Sequence, residues 1–315
     1  MSSSSLATQL APPTADIPGT RRRARAPRIK VKNLKAIVFF VLPFAVLFGL
    51  FYLVPIMYAV YESLMVIERD GTFGAAHEVF GGFAQYVQVF QNAPFWTSIG
   101  RVLLFGVVQV PVMLGLALLF ALLLDSPALR GKRFFRLAFF VPYAVPGVIA
   151  AIMWGFLYSP NLSPFSALTQ NIDFLSADLV LWAMANVVTW VFVGYNMLII
   201  YSSLLSIPTE IYEAARLDGA GQIRMAWSIK IPLVMPAIVL TAIFSVIGTL
   251  QLLAEPQVFR TFSSAVTSTY TPNLTVYTTS SIPNFNLAAA FSVVLALATF
   301  VLSFGILKLT QRKGA

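Results

Sequence analysis

The chain has 315 residues, of which 58% are hydrophobic and 10% are charged, and this composition excludes a soluble globular protein of that size. The absence of cysteine from the sequence excludes disulfides, thiolate chemistry and cysteine-based zinc or iron–sulfur sites, and the single histidine, His77, cannot build a site alone. A formal net charge of +9 would suggest nucleic acid in a soluble domain, but in an integral membrane protein it bears on topology.

The first 33 residues predict a disordered, basic tail. They consist mainly of Ser, Pro, Ala and Arg and show no apolar periodicity. Such a tail could rest on anionic lipid, although setting the membrane topology is the simpler role and the one we favour.

Six apolar stretches follow, each long enough to cross a hydrocarbon core about 30 Å thick. They lie at about 36–60, 99–124, 134–158, 179–204, 236–253 and 287–307. The sequence therefore predicts an all-α integral membrane protein with six transmembrane helices in a domain over 34–308, followed by a short tail over 309–315. An even number of crossings places both termini on the same side.

Lys and Arg are distributed unequally between the two sides of the predicted spans. Eighteen lie on the side of the termini, against Arg69, Arg101 and Arg260 on the other side. Because cytoplasmic segments carry the excess of positive charge, we expect both termini, and the connection between spans four and five, in the cytoplasm.

That connection, at about 205–235, is polar and carries helical signals of its own. Pro208 suits the first turn of a helix, and Glu210 would lie near the positive end of the helix dipole. Gly219 then ends the helix, because glycine readily takes the left-handed cap conformation.

A second short helix is expected after this turn, since Ile223, Trp227 and Ile231 recur every four residues until Pro232 closes the segment. Small residues at the elbow leave room for the close approach of another protein. From the residues alone, the segment is either a docking surface for a partner in the water phase or a helical hairpin lying on the membrane.

The segment resembles the EAA loop of binding-protein-dependent ABC importer permeases. The resemblance rests on Glu213-Ala214-Ala215, on Gly219 and on Ile229-Lys-Ile-Pro232, where the family usually has Leu-Pro. Asp218-Gly219-Ala220 and Pro232-Leu233 are also typical of the carbohydrate-uptake branch.

A second resemblance lies in the third span. Phe140-Val-Pro142-Tyr143-Ala-Val-Pro146, with Trp154, is similar to lactose- and maltose-type permeases that act as the first of two sister subunits. Together the two resemblances cover about 34–308. They imply a subunit that forms half of a translocation path, with alternating access driven by a partner ATPase.

The resemblance also implies the partners and the coupling residues. It implies a homologous sister permease, two cytoplasmic ATPase subunits that carry ATP and Mg, and an external solute-binding protein that delivers a sugar-like solute across a bacterial-type inner membrane. The chain itself lacks a G-x-x-x-x-G-K-[ST] phosphate loop, so no cofactor or ATPase site is expected in it. The coupling residues are Glu213, Ala214, Ala215, Asp218, Gly219 and Pro232.

Polar side chains within spans predict the solute path, because a polar group is costly in hydrocarbon unless it has a partner or meets a water-filled cavity. The candidates are Trp190, Tyr195 and Asn196 in span four, and Ser245, Thr249 and Gln251 in span five. Amides bond sugar hydroxyls and an indole can cover a pyranose, whereas small hydroxyl residues more often pack helices. Glu255 is expected to be a solvated loop charge, with Arg260 or the binding protein as alternative contacts.

Three other classes of membrane protein are alternatives to an importer subunit. A secondary transporter would need ionisable residues within the spans, often with an internal repeat, and a membrane-embedded enzyme would need paired carboxylates or His-based metal ligands at membrane depth. The sequence shows neither pattern. A channel is the remaining alternative, and copurification of an ATPase would distinguish an importer from it.

Overall fold

The computed structural model describes residues 34–71, 74–281 and 284–313. The predicted basic tail at 1–33 lies outside the described residues. The described residues divide into two units, on either side of a boundary between Leu53 and Val54.

The first unit contains helix α1 (Leu34–Phe48), which includes Pro43 and is followed by a π-helical turn at Gly49–Leu53. The helices of the second unit are α2 (Val54–Glu62), α3 (Ala84–Gln91), α4 (Ala93–Asp125), α5 (Lys132–Phe140), α6 (Gly147–Tyr158), α7 (Ser166–Thr169), α8 (Val180–Leu205), α9 (Thr209–Leu217), α10 (Gln222–Met225), α11 (Ile231–Leu250), α12 (Ala254–Phe259), α13 (Pro272–Ser281) and α14 (Phe285–Lys313). A 3-10 turn lies at Val141–Ala144 and a π-helical turn at Ala226–Lys230.

Five helical stretches in the described residues are long and apolar enough to cross a membrane. They are Val38–Glu62, Ala93–Asp125, Val180–Leu205, Gln222–Phe259 and Phe285–Gly305. They correspond to predicted spans one, two, four, five and six, which confirms the predicted helical membrane fold. The last helix continues to Lys313, so most of the stretch predicted as a C-terminal tail is helical.

The predicted third span is broken. Its halves, Lys132–Ala144 and Gly147–Tyr158, meet at an angle of 97°. Val145 takes an extended conformation with φ −78° and ψ 125°, because the ring of Pro146 disfavours the helical conformation in the residue before it. From the sequence alone, Pro142 and Pro146 predict a kink in this span, which is a smaller distortion than the observed break.

The packing against α8 shows that the two halves run in one direction along that helix. The Tyr158 hydroxyl donates to the Ala183 carbonyl at 3.4 Å, and Gly194 packs on the backbone of Phe139. Helix α8 rises about 16 Å between these contacts. Because Lys132 lies two further turns before Phe139, the halves together run antiparallel to α8. Counted as one span, they bring the candidate crossings in the described residues from five to the predicted six.

One part of the core of the second unit lies between α4 and α8, and another packs α6 and α12 against α8. The buried side chains of the first part include Ala117 and Ala121 of α4, and Met197 and Ile200 of α8. Small side chains such as these two alanines allow membrane helices to approach closely. This pairing holds the polar residues of the middle of α4 and α8 near one another.

The connection after α2 contains a hairpin that was not predicted. Strand β1 (Met65–Arg69) pairs antiparallel with β2 (Ala76–Phe80), with Met65 opposite Phe80. Below it, the Asn286 side chain donates to the buried Glu62 carboxylate at 2.9 Å. The helical fold therefore carries one small sheet at the end away from the segment between α8 and α11.

Candidate functional site

The coupling segment, residues 205–235, has the predicted first helix and elbow. The prediction that a second short helix closes at Pro232 is wrong, because α10 continues through the π-helical turn into α11, where proline is tolerated in the first turn. At the end of α9, Gly219 has a φ of +76°. The Gly219 N–H donates to the carbonyl of Arg216, and the Ala220 N–H donates to that of Ala215. These two bonds form a Schellman cap, so the predicted glycine-terminated helix is confirmed.

Most residues of the EAA-like motif are exposed. Glu213, Ala214, Asp218, Gly219 and Pro232 are exposed, whereas Ala215 is buried. Leu217, Ile223 and Trp227 are exposed at 90%, 78% and 70%, which is unusual for large apolar side chains outside a span. Clustered exposed apolar side chains mark interaction surfaces, so the segment is suited to docking a partner.

The base of the coupling segment is charged and buried. The Lys230 ammonium donates to the Asp125 carboxylate at 2.5 Å and lies 5.1 Å from the centre of the Tyr212 ring. Burial, and to a lesser extent the charge of Asp125, raise the pKa of the Tyr212 hydroxyl above its ordinary value. We call Asp125, Tyr212 and Lys230 the basal cluster.

A cavity of about 570 Å³ lies among α4, α6, α8, α11 and α12. Its polar lining residues are Gln109, Tyr195, Asn196, Ser245, Thr249, Gln251, Glu255 and Gln257, and most of the other lining residues are apolar. The volume is within the usual range for small-molecule sites, and the few polar groups among apolar side chains are also typical of them.

Five of the six predicted path residues line this cavity, and the sixth does not. The exception is Trp190, whose ring packs edge-on against Trp154 with 5.9 Å between centroids. Beside the cavity, the Tyr143 ring stacks on Tyr195 at 4.6 Å, so the broken third span supports the aromatic wall. Tyr195 is therefore held in place by the third span, for which the sequence predicts a kink but not this contact.

Gln109 is a lining residue that sequence reasoning missed. It is 3% exposed, and its amide donates to the Thr189 hydroxyl at 3.2 Å, while its Oε1 has no hydrogen-bond partner among the described residues. The signal was available, because an amide in the middle of an apolar span is itself evidence of a polar path. Gln257 was also missed, since it falls in a predicted loop.

The expectation that Glu255 is a solvated charge is wrong. Its residue is 7% exposed and it lines the cavity. The physical reason is α12, which folds the chain into a short helix straight after α11 and turns Glu255 inward. The described residues show no ion pair between Glu255 and Arg260.

The lining chemistry suits a polyol. Amides and hydroxyls can donate to and accept from sugar hydroxyls, and aromatic rings such as Tyr195 can cover an apolar sugar face. Among the lining residues, all of which lie in the described part of the chain, only Glu255 carries a formal charge. Within residues 34–71, 74–281 and 284–313, no group of three or more His, Asp or Glu side chains is placed to hold a metal ion.

Comparison with known proteins gives consistent matches. The family described as binding-protein-dependent transport system inner membrane component matches residues 113–312. The chain is 32% identical over 277 residues to the lactose transport system permease protein LacF of Rhizobium radiobacter, which covers 84% of this chain and 90% of that protein. It is 26% identical over 315 residues to the diacetylchitobiose uptake system permease protein NgcF of Streptomyces coelicolor, covering 92% and 88%.

Among solved structures, a chain of a bacterial ABC transporter involved in the import of the acidic polysaccharide alginate is similar in fold. The match has a TM-score of 0.73 at 17% identity and covers 90% of this chain and 97% of that chain. A second structure, of the alginate transporter in complex with an alginate pentasaccharide-bound periplasmic protein, matches with a TM-score of 0.74 at 17% identity and covers 90% and 96%.

Proposed function

The chain belongs to the family of binding-protein-dependent transport system inner membrane components, and from this premise we propose that it forms half of the path by which a neutral sugar enters the cell. The observation that carries the proposal is that the same two helices connect the cavity to the coupling segment. Helices α8 and α11 both line the cavity, and the coupling segment is the stretch of chain that joins them.

The mechanism is alternating access driven from outside this chain. A cytoplasmic ATPase subunit binds the exposed surface of α9 and α10, and its movement reorients α8 and α11 around the cavity. The exposed Leu217, Ile223 and Trp227 supply apolar contact area for that docking. A sister permease completes the path, and an external solute-binding protein delivers the sugar.

The solute class follows from the lining. One carboxylate and several neutral polar groups favour an uncharged mono- or oligosaccharide over a sugar phosphate, because an anion would be repelled by Glu255 if that carboxyl is ionised and would find no cation on this half of the path. Both termini and the coupling segment are proposed to be cytoplasmic, from the distribution of Lys and Arg.

The test is ATPase activity of the chain purified with its co-expressed neighbours in lipid vesicles. The vesicles are assayed with and without the solute-binding protein and a panel of neutral and anionic sugars. Stimulation by a neutral sugar that requires the binding protein is the expected result. A complex with no associated ATPase would point to a channel, and stimulation only by an anionic sugar would contradict the proposed solute class.

A further inference from the structure

The basal cluster is buried although it contains two opposite charges. The side chains of Lys230 and Asp125 are 8% and 12% exposed. Removing two charges from water is costly, and a buried ion pair seldom stabilises a fold more than apolar side chains of the same volume would. Its contribution to stability is therefore a weak reason for the pair, whereas its fixed geometry is a stronger one.

The cluster fastens both arms of the coupling segment to a helix outside it. Tyr212 belongs to α9, before the elbow at Gly219, and Lys230 ends the π-helical turn after the elbow. Asp125 is the last residue of α4. Lys132, at the start of α5, adds a bond from its ammonium to the Asp125 backbone carbonyl at 3.4 Å.

Helix α4 in turn leads to the cavity. It packs along α8 through the buried core, and its residues Gln109 and Met113 line the cavity. A displacement of the coupling segment that is held at Asp125 would therefore reach the cavity through α4 as well as through the directly connected α8 and α11. Packed helices transmit such displacements because their interfaces resist continuous deformation.

We propose that Asp125, Lys230 and Tyr212 act as a clamp that holds the coupling segment rigidly on α4, and that they are positioning residues for the coupling of ATP hydrolysis to transport. The inference rests on the proposed function. The ring of Tyr212 lies within cation–π distance of the Lys230 ammonium, whereas its hydroxyl has no hydrogen-bond partner among the described residues, so the clamp needs the ring and does not need the hydroxyl.

The clamp is tested in the complete importer in lipid vesicles, by measuring sugar taken up per ATP hydrolysed. Lys230→Met and Asp125→Asn should each lower this ratio at least fivefold while the amount of assembled complex stays unchanged. The reversed pair, Asp125→Lys with Lys230→Asp, should recover at least half of the wild-type ratio, and Tyr212→Phe should keep it where Tyr212→Leu does not. Arg130→Met removes an exposed cation from the connection between α4 and α5, close in sequence to Asp125, and serves as the matched control.

A second measurement covers variants that fail to assemble. The chain has no natural cysteine, so Asp125→Cys with Lys230→Cys introduces a unique pair that a short thiol-specific linker can join. The unlinked pair should be uncoupled, and linking should restore coupling. Loss of turnover on linking would overturn the proposal, because the clamp would then have to open during the cycle.

The outcomes separate the clamp from the function on which it rests. A wild-type complex without sugar-stimulated uptake would overturn the proposed function together with the clamp's role in it. Two results would overturn the clamp alone. In one, both neutralised variants keep the ratio of sugar taken up per ATP hydrolysed within twofold of wild type. In the other, the reversed pair has a ratio no better than that of the worse single variant.

Discussion

Among the described residues of the cavity lining, Gln109 is the one that most clearly lacks a hydrogen-bond partner. It is a nearly fully buried amide whose Oε1 has no hydrogen-bond partner among the described residues, while its amide group bonds Thr189. A buried acceptor without a partner costs about 1–3 kcal/mol. Because Gln109 lines a cavity of about 570 Å³, a solute hydroxyl or a water molecule can satisfy it there.

Gln109→Leu should weaken uptake without loss of assembly. Losing one hydrogen bond to the solute, about 0.5–1.5 kcal/mol, corresponds to a rise of about two- to tenfold in the KM for uptake. Gln85→Leu is the matched control, since Gln85 is also buried with an unpaired Oε1 but does not line the cavity. Equal KM values for the two variants would remove Gln109 from the solute path.

The polar residues that line the cavity were predictable to the extent that each stands out within an apolar helix. Asn196 and Gln251 were predicted in this way and do line the cavity, and Gln109 carries the same signal. Trp190 looked equivalent in sequence, but its ring is taken up by Trp154 from the broken third span, a contact that depends on the packing of two helices. The buried position of Glu255 was not predicted, because nothing in the sequence marks α12 as a helix that turns back over the cavity.

At the scale of elements, the elbow of the coupling segment depends on one backbone conformation. Gly219 has a φ of +76°, and a Cβ added there would have no neighbour within 4 Å in this chain. A side chain would therefore not clash within the chain itself. Its cost would come from the left-handed conformation, about 1–2 kcal/mol for an ordinary L-residue.

Gly219→Val should leave the protein inserted and lower sugar uptake per ATP, because a β-branched residue disfavours the left-handed conformation and would shift the angle between α9 and α10. Gly219→Asn should keep most of the coupling, since Asn tolerates this conformation. Uptake assays on vesicles with matched amounts of complex compare the two. Equal loss in both variants would point instead to contact between a side chain and the partner ATPase.

The third span shows what a local pattern leaves out. Pro142 and Pro146 predict a disturbance of the helix, and the structure has a 97° break there. The first half of the broken span also makes a close contact that is remote in sequence, in which Gly194 of α8 packs on the Phe139 backbone where a Cβ would overlap its carbonyl oxygen. The prolines indicate the position of the break, whereas the local pattern contains neither its angle nor this contact.

At the scale of the whole molecule, the charge distribution predicts which end faces the cytoplasm. The end that holds the coupling segment also holds Arg130, Lys132, Arg133 and Arg136, while Arg69 lies in the hairpin at the other end. This bias and the count of hydrophobic stretches were readable from sequence because they depend on composition alone. The pairing of α4 with α8, which forms part of the core, was not readable in this way.

Labelling of single cysteines tests both this orientation and the crossing of the broken span. The natural chain has no cysteine, so Glu78→Cys in β2, Gln222→Cys at the start of α10 and Lys308→Cys near the end of α14 each give one exposed reporter. In intact spheroplasts, a membrane-impermeant maleimide should label the Glu78 variant and should label the other two only after permeabilisation.

Three crossings separate Glu78 from Gln222 if the two halves of the third span traverse the membrane together, and two separate Gln222 from Lys308. Labelling of Glu78 and Gln222 variants from the same side would therefore mean that the broken span enters and leaves on one side, whereas a full reversal of the pattern would contradict only the orientation inferred from charge.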